Sequence, residues 1–238
     1  MEKIMLLSLA LIQLLLFIAF FILENKYPAR NLPRNRYFFR WWIFTQTFAI
    51  LWIKVLFIFM HKPTHGLLHP NAGVVELGAL FFLTYSFFNY WWHRLKHSNP
   101  IIWRYIHRFH HAPSKMEVAL IFFKHPLEIV ANSLLIYSVA WLLSLPIEAV
   151  AIGLLIEGVI ETYHHANINT PKKMRWISLF IQTPEMHLIH HQKGLHRYNY
   201  VTFLWDTVFK TARIPKNWDD ELGLNLKNGI KGIFLCKK

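Results

Sequence analysis

Four groups of histidines carry the chemistry this sequence can do. The first is His93-Arg-Leu-Lys-His97 and the second is His107-Arg-Phe-His110-His111. The third is the pair His164-His165, and the fourth is His187-Leu-Ile-His190-His191. His125 stands between the second and third groups. Residues at i and i+4, or i and i+3, share one face of a helix. His93 and His97 can therefore bind one metal together. His107 can pair with His110 or with His111, which frees the adjacent member to reach a second ion. His187, His190 and His191 repeat that geometry, and two such boxes facing each other can bracket two metals. Neutral imidazole is a good transition-metal ligand near pH 7, whereas clustered imidazolium would repel itself. The chain has 15 histidines in 238 residues and no terminal histidine tag, so the enrichment belongs to the sequence itself.

The donor types narrow the metal. A closed zinc site takes four ligands, often with cysteine, and nine or ten histidines exceed that need. They suit two ions of higher coordination. A zinc hydrolase of the H-E-x-x-H type needs a glutamate as general base; Arg94 occupies that position. Soluble di-iron bundles use a pair of Glu-x-x-His motifs on two helices, a pair that these boxes lack. Cys236 is the one cysteine, so neither an internal disulfide nor a C-x-x-C site is available. His61, His65 and His69 also have spacing four, but Pro63 and Gly66 argue against one continuous helix there.

The elements that must hold these boxes are apolar. Apolar residues make up 54% of the chain and charged ones only 16%, against ~25% charged in soluble domains. Mean hydropathy is +0.27. The run from Ile4 to Leu23 matches a hydrocarbon core of ~30 Å. It is longer than a signal-peptide core, and no small-x-small cleavage site precedes Glu24. Residues 24–40 carry Lys26, Arg30, Arg34, Arg36 and Arg40 against Glu24 alone, and Pro28 and Pro33 break any helix. This reads as a cytoplasmic loop under the positive-inside rule. A second span follows over about 41–60, a short outer loop over 61–72, and a third span over about 72–92 that delivers His93 to the cytoplasmic side. Residues 126–163 are long enough for two helices, joined by a tight turn at Ser144-Leu145-Pro146. The expected fold is all-α: an integral-membrane helical bundle of about five spans with a cytoplasmic histidine-rich cap. The expected divisions are an N-terminal transmembrane region (1–72), a metal-binding domain (73–212) and a basic cytoplasmic tail (213–238). The net charge of +13 sits beside apolar spans, where it sets topology and meets anionic headgroups. Nucleic acid is not an expected partner.

Longer segments around the boxes resemble the fatty acid hydroxylase/sterol desaturase superfamily of integral-membrane non-haem di-iron enzymes. Asn89-Tyr-Trp-Trp-His93-Arg resembles the lead-in and first box of that family, and Trp103 to Ser114 the second box with its flank. Lys124-His125-Pro126-Leu127-Glu128 resembles a basic-x-His-Pro-Leu-Glu element, and His165-Ala-Asn167-Ile a His-x-Asn-Ile element. Thr183-Pro184-Glu185-Met186-His187 leads into the last box. Asn199-Tyr200 and Leu204-Trp205-Asp206-Thr-Val-Phe209 resemble the closing segments. The similarity covers roughly residues 80–212. Val201 and Lys210 depart from it, standing where glycine is common.

The resemblance implies metal ligands at His93, His97, His107, His110, His111, His125, His165, His187, His190 and His191. His165 matches the motif better than His164 does, and His196 reads as a surface residue. Asn167 and Asp206 are expected to support ligands from behind, as Glu128 and Glu161 can from the ends of their helices. No catalytic side chain separate from the ligands is expected. The implied cofactors are two iron ions with O₂ as co-substrate. The implied reaction is hydroxylation or desaturation of the alkyl part of a lipid, a fatty acyl chain, a sterol or a related molecule. No redox domain is visible, so electrons are expected from a separate cytochrome b5-like, ferredoxin-like or reductase partner. Two other classes stay open: a histidine-rich membrane metal-binding or transport protein, and a zinc-dependent membrane hydrolase. Transport would place polar ligands inside the spans, whereas these boxes lie beyond the span ends.

Overall fold

A computed structural model describes residues 2–60, 66–214, 221–224 and 229–236. His61 and His65 lie outside the described residues. Helices dominate, and the only β pairing among the described residues is two isolated bridges. The apolar run at the N-terminus forms α1 (Glu2–Lys26), which ends just before Pro28. After the basic loop comes α2 (Phe38–Met60), then α3 (Val74–Ser98). Asn99 ends α3 and caps the next turn, α4 (Pro100–Ile102), by accepting from the Ile101 and Ile102 N–H groups. Pro100 at its first position needs no hydrogen-bond partner there.

The expected two helices appear within the apolar stretch 126–163. They are α5 (Pro126–Leu142) and α6 (Ile147–His165), and the turn between them holds Ser144 at φ 51° before Pro146. Three shorter helices follow in the cap: α7 (Pro184–His191), α8 (Trp205–Val208) and α9 (Gly229–Phe234).

α3 and α6 make the most extensive helix pair. They touch at two glycines. A Cβ on Gly78 would fall 2.6 Å from Ile152, and one on Gly153 would fall 2.5 Å from Phe81 and 2.8 Å from the Gly78 carbonyl. Only residues without a side chain let the backbones approach this closely. Around the crossing, Leu77, Phe81, Tyr85, Val139, Ala149 and Val150 form one apolar core. A second core lies under the cap, where the Phe109 and Phe123 rings stack at 4.4 Å and Phe38 stacks on Phe123 at 4.9 Å. Such pairs contribute roughly 0.5–1.5 kcal/mol each beyond their buried area.

All the long helices turn one end to the cap. Glu24, near the end of α1, accepts from the Val118 and Asn167 N–H groups at 2.9 and 3.1 Å. Arg34 forks onto both oxygens of buried Glu117. α1, α3 and α6 therefore run toward the cap, and α2 and α5 run away from it. Every histidine box consequently sits at one end of the bundle.

The outer faces of α1 and α2 leave Leu7, Leu11, Leu15, Ile22, Ile43, Ile50 and Ile53 exposed. Among the described residues, one helix is long and apolar enough to cross a membrane, Lys3–Lys26, with a mean hydropathy of 2.9. Arg40, Gln46 and Lys54 dilute α2, and three glutamates dilute α6. The segment expected to be a basic tail packs back in part. Leu222 bridges to Gln192, and the Phe234 ring of α9 lies 5.5 Å from Phe109.

Candidate metal centre

The two long helices α3 and α6 each extend a histidine turn into the cap. α3 ends with His93 and His97 one turn apart. His107 closes a π-helical turn, Trp103–His107, in which the Arg108 N–H reaches the Trp103 carbonyl at 2.8 Å. Such turns are rare and concentrate at functional sites. α6 contributes His165, and α7 is buried along its whole length with His187, His190 and His191. Pro184 starts α7 at a position where no N–H is needed.

Nine histidines converge into two sets. His93, His97, His107, His111 and His190 form one; His110, His165, His187 and His191 form the other. Within each set the ligand atoms lie within 4.8 Å of one another. Helical spacing alone allows His107 two partners, and the structure selects one. His107 pairs with His111, one turn on, while His110 belongs to the other set. His187 likewise pairs with His191, while His190 crosses to the first set. The pairs His110-His111 and His190-His191 thus divide their members between the two sets.

The hydrogen bonds fix the tautomers. Nδ1–H of His93 donates to the Tyr200 carbonyl, and that of His190 to the Tyr198 carbonyl at 2.8 Å. His107 donates from Nδ1 to Glu128 at 2.7 Å. In the second set, Nδ1 of His187 donates to the Gln182 amide oxygen at 2.8 Å, that of His165 to the Glu161 carbonyl at 3.0 Å, and that of His110 to the Phe123 carbonyl at 3.2 Å. An imidazole that donates from Nδ1 while neutral has only a lone pair at Nε2. These lone pairs face one another. The Nε2 atoms of His93 and His107 lie 2.8 Å apart, those of His93 and His190 3.1 Å, and those of His165 and His187 2.9 Å. Converging lone pairs repel unless a cation sits among them. The residues present therefore fit a metal ion in each set, with the partners behind them arranged as at known histidine sites.

The imidazoles are neutral. Burial holds His107, His110, His111, His187 and His191 well below the ordinary imidazole value, neighbouring imidazoles lower them further, and Lys96 adds to the effect at His107. His190 is lowered to about 3, burial outweighing the Tyr198 carbonyl that favours its charged form.

The other expected site residues take different places. His125 joins neither set. Its Nδ1 accepts from the Leu127 N–H at 3.2 Å as the N-cap of α5, and its Nε2 donates to the Phe234 carbonyl at 3.2 Å. Both ring nitrogens are used, so His125 fastens α5 and α9 to the cap. Asn167 does not reach a ligand. Its side chain clamps Arg30 through both backbone groups at 3.1 and 2.7 Å. Asp206 acts at one remove: its carboxylate accepts from the Tyr200 and Val201 N–H groups, both at 2.9 Å, and so holds the loop segment whose Tyr200 carbonyl receives His93. His196, read as a surface residue, is half-buried over the first set, with its ring 4.7 Å from His111 and 5.3 Å from Trp103.

Gln182 went unrecognised in the sequence, because a residue five before His187 has no helical relation to it. The acceptor carbonyls of Phe123, Tyr198 and Tyr200 leave no side-chain signal at all. Glu128 was visible in its motif. It is fully buried, and one of its oxygens takes both His107 and, at 2.9 Å, Lys96.

Beside the sets is a cavity of about 230 Å³ between α3, α5 and α6. Histidines of both sets line its inner end. The family model for fatty acid hydroxylase matches residues 78–211, more than half of the chain. No curated protein and no solved structure matches it. The matched segment contains all nine converging histidines, with Glu128 and Gln182 behind them. The chain belongs to the fatty acid hydroxylase family.

Proposed function

We propose that this protein is a membrane-embedded, O₂-dependent di-iron enzyme that hydroxylates or desaturates the alkyl part of a lipid. The observation that carries the reading is the double set of inward-facing Nε2 lone pairs beside a cavity. In this reading α1, α2, α3, α5 and α6 are the five spans, and the cap faces the cytoplasm. The exposed apolar faces of α1 and α2 and the basic loop 24–40 support it.

Five imidazoles would hold one iron and four the other, and the bound pair would supply O₂ activation for hydrogen removal from an unactivated C–H bond. The chain supplies position and exclusion. Backbone carbonyls, the Gln182 amide oxygen and the Glu128 carboxylate lock six of the nine rings, His93, His107, His110, His165, His187 and His190, in the ligating tautomer. The stacked rings of Phe109 and Phe123 and the buried face of α7 keep bulk water from the sets. Glu128 balances Lys96 next to the first set, so that neither charge is left bare. Electrons would come from a separate donor protein docking on the cap.

Comparative lipid mass spectrometry of cells carrying the protein or its His110→Ala variant tests this. The expected difference is a lipid that gains one oxygen or loses two hydrogens only with the active protein. Metal analysis should give close to two irons per chain. A single zinc, metal moved across vesicles without lipid turnover, or no altered lipid would overturn it.

A further inference from the structure

The cavity is more polar than an alkyl chain requires. Its outer wall is formed largely by one face of α6, an otherwise apolar helix, where Glu157, Glu161 and His164 follow one another at helical spacing. Ionisable groups in such a helix are costly unless they are used. Lys124 pairs with Glu161 at 3.4 Å, and Glu157 accepts from Asn89 at 3.3 Å and Thr202 at 2.6 Å.

His164 is different. It is 2% exposed, and neither ring nitrogen has a hydrogen-bond partner. It lines the cavity and belongs to neither metal set. A neutral imidazole buried in this way leaves one donor and one acceptor unmet, at about 1–3 kcal/mol each. Across the cavity, Asn132 uses its oxygen to accept from Trp92 at 2.9 Å, and its amide NH₂ makes no hydrogen bond among the described residues.

These vacancies select a chemistry. The unmet donor on His164 and the half-buried amide of Asn132 call for an acceptor, which an ammonium group cannot be. The unmet acceptor on His164 calls for a donor, which a carboxylate or phosphate cannot be. Both lysines that line the cavity, Lys96 and Lys124, are already paired with glutamates. An anionic group would therefore arrive at the outer wall without a counter-charge. A hydroxyl both donates and accepts. At about 230 Å³ the cavity is also smaller than the ~300–1,000 Å³ of a typical small-molecule pocket. It admits part of a lipid, with the polar group close to the reacting carbon.

We infer that the substrate is a lipid with a hydroxyl group within a few bonds of the carbon that reacts, and that His164 and Asn132 bind this hydroxyl. The inference rests on the oxygenase reading for the identity of the cavity, and its test separates the two. Metal-loaded protein in nanodiscs is titrated with a long-chain 1-alkanol, a 3-hydroxysterol and a 1-O-alkylglycerol. Each is set against its counterpart without the hydroxyl and against an anionic counterpart, a carboxylate or phosphate ester. At least one hydroxyl lipid should bind about tenfold or more tightly than both counterparts, the discrimination expected when a buried polar group loses its partner. His164→Phe should reduce that ratio at least about fivefold without loss of metal. Asn132→Leu, on a different helix, should reduce it likewise and serves if His164→Phe does not fold. Equal binding within all three sets overturns the inference, as does a ratio unchanged in the variants. Loss of a metal ion in His164→Phe with the ratio intact would make His164 a ligand and also overturn it. Selective binding with no lipid altered in the cell-based comparison would leave this inference standing and sink the oxygenase reading; lipid oxidation in those cells without hydroxyl preference in the nanodiscs would do the reverse.

Discussion

Glu128→Gln changes one oxygen for nitrogen at a residue with no exposed surface, and two effects separate cleanly. The first is stability. Lys96 is 4% exposed and loses the carboxylate 2.9 Å from its ammonium. Stranding one partner of a buried pair costs about 3–5 kcal/mol. The second is metal affinity. His107 loses a charged acceptor 2.7 Å from Nδ1, and a charge-assisted bond is about twice as strong as a neutral one. Partners of this kind are each worth about 10–100-fold in metal affinity, or about 1.4–2.8 kcal/mol at tenfold per 1.4 kcal/mol. The double variant Lys96→Met/Glu128→Gln distinguishes them. Removing both charges restores most of the stability, because a buried pair replaced by uncharged groups is close to neutral. It leaves the metal deficit in place, because His107 still lacks its carboxylate. Denaturant titration of metal-free protein reads the first effect, and competition with a chelator reads the second. If Glu128→Gln holds iron as tightly as the parent, the role given to Glu128 is wrong. If the double variant is no more stable than the single one, the account of Lys96 is wrong.

Acid should destabilise the metal-free protein. Its buried imidazoles have folded-state values below the ordinary one, His190 reaching about 3, so the unfolded chain binds more protons as pH falls. Their stabilisation is fully present above about pH 6.5 and is lost progressively toward pH 3, at about 1.4 kcal/mol per imidazole per pH unit; a flat stability profile between pH 7 and 5 would refute this. Gln182→Leu should weaken metal binding about 10–100-fold through His187, measured by chelator competition, with far-ultraviolet circular dichroism unchanged. Lys210 has φ 58° where glycine was expected from the family pattern. Lys210→Gly should relieve about 1–2 kcal/mol of left-handed strain against about 0.5–1 kcal/mol of added chain entropy, and a fall in melting temperature would contradict that balance.

The helices were legible because apolar runs and prolines mark their extent. The α5–α6 break at Ser144-Leu145-Pro146 is a clear case. The nine converging histidines were legible because spacing along a helix is local and the flanking motifs are distinctive. Their assignment to two sets was not. Whether His107 pairs with His110 or His111 depends on where α7 and α6 dock, which no local pattern records. His125 misled for a related reason. A histidine before Pro126 is well placed to cap α5, and capping uses the nitrogen that a metal would need. His165 fits the motif better than His164 does, and the burial of His164 against the cavity emerges only from the packing of α6.

The glycine contact between α3 and α6 acts as a fulcrum. Gly78 lies 15 residues before His93, and Gly153 lies 12 before His165. At 1.5 Å per residue the lever arms are roughly 22 and 18 Å. A methyl group added at the crossing would tilt one rod against the other, and the tilt would be largest at the far ends, where the rods carry their imidazoles. The cavity opens along the same wedge, so one pivot sets both the gape of the site and the spacing of its ligands. Two glycines that line neither the histidine sets nor the cavity thus govern the spacing of the one and the width of the other.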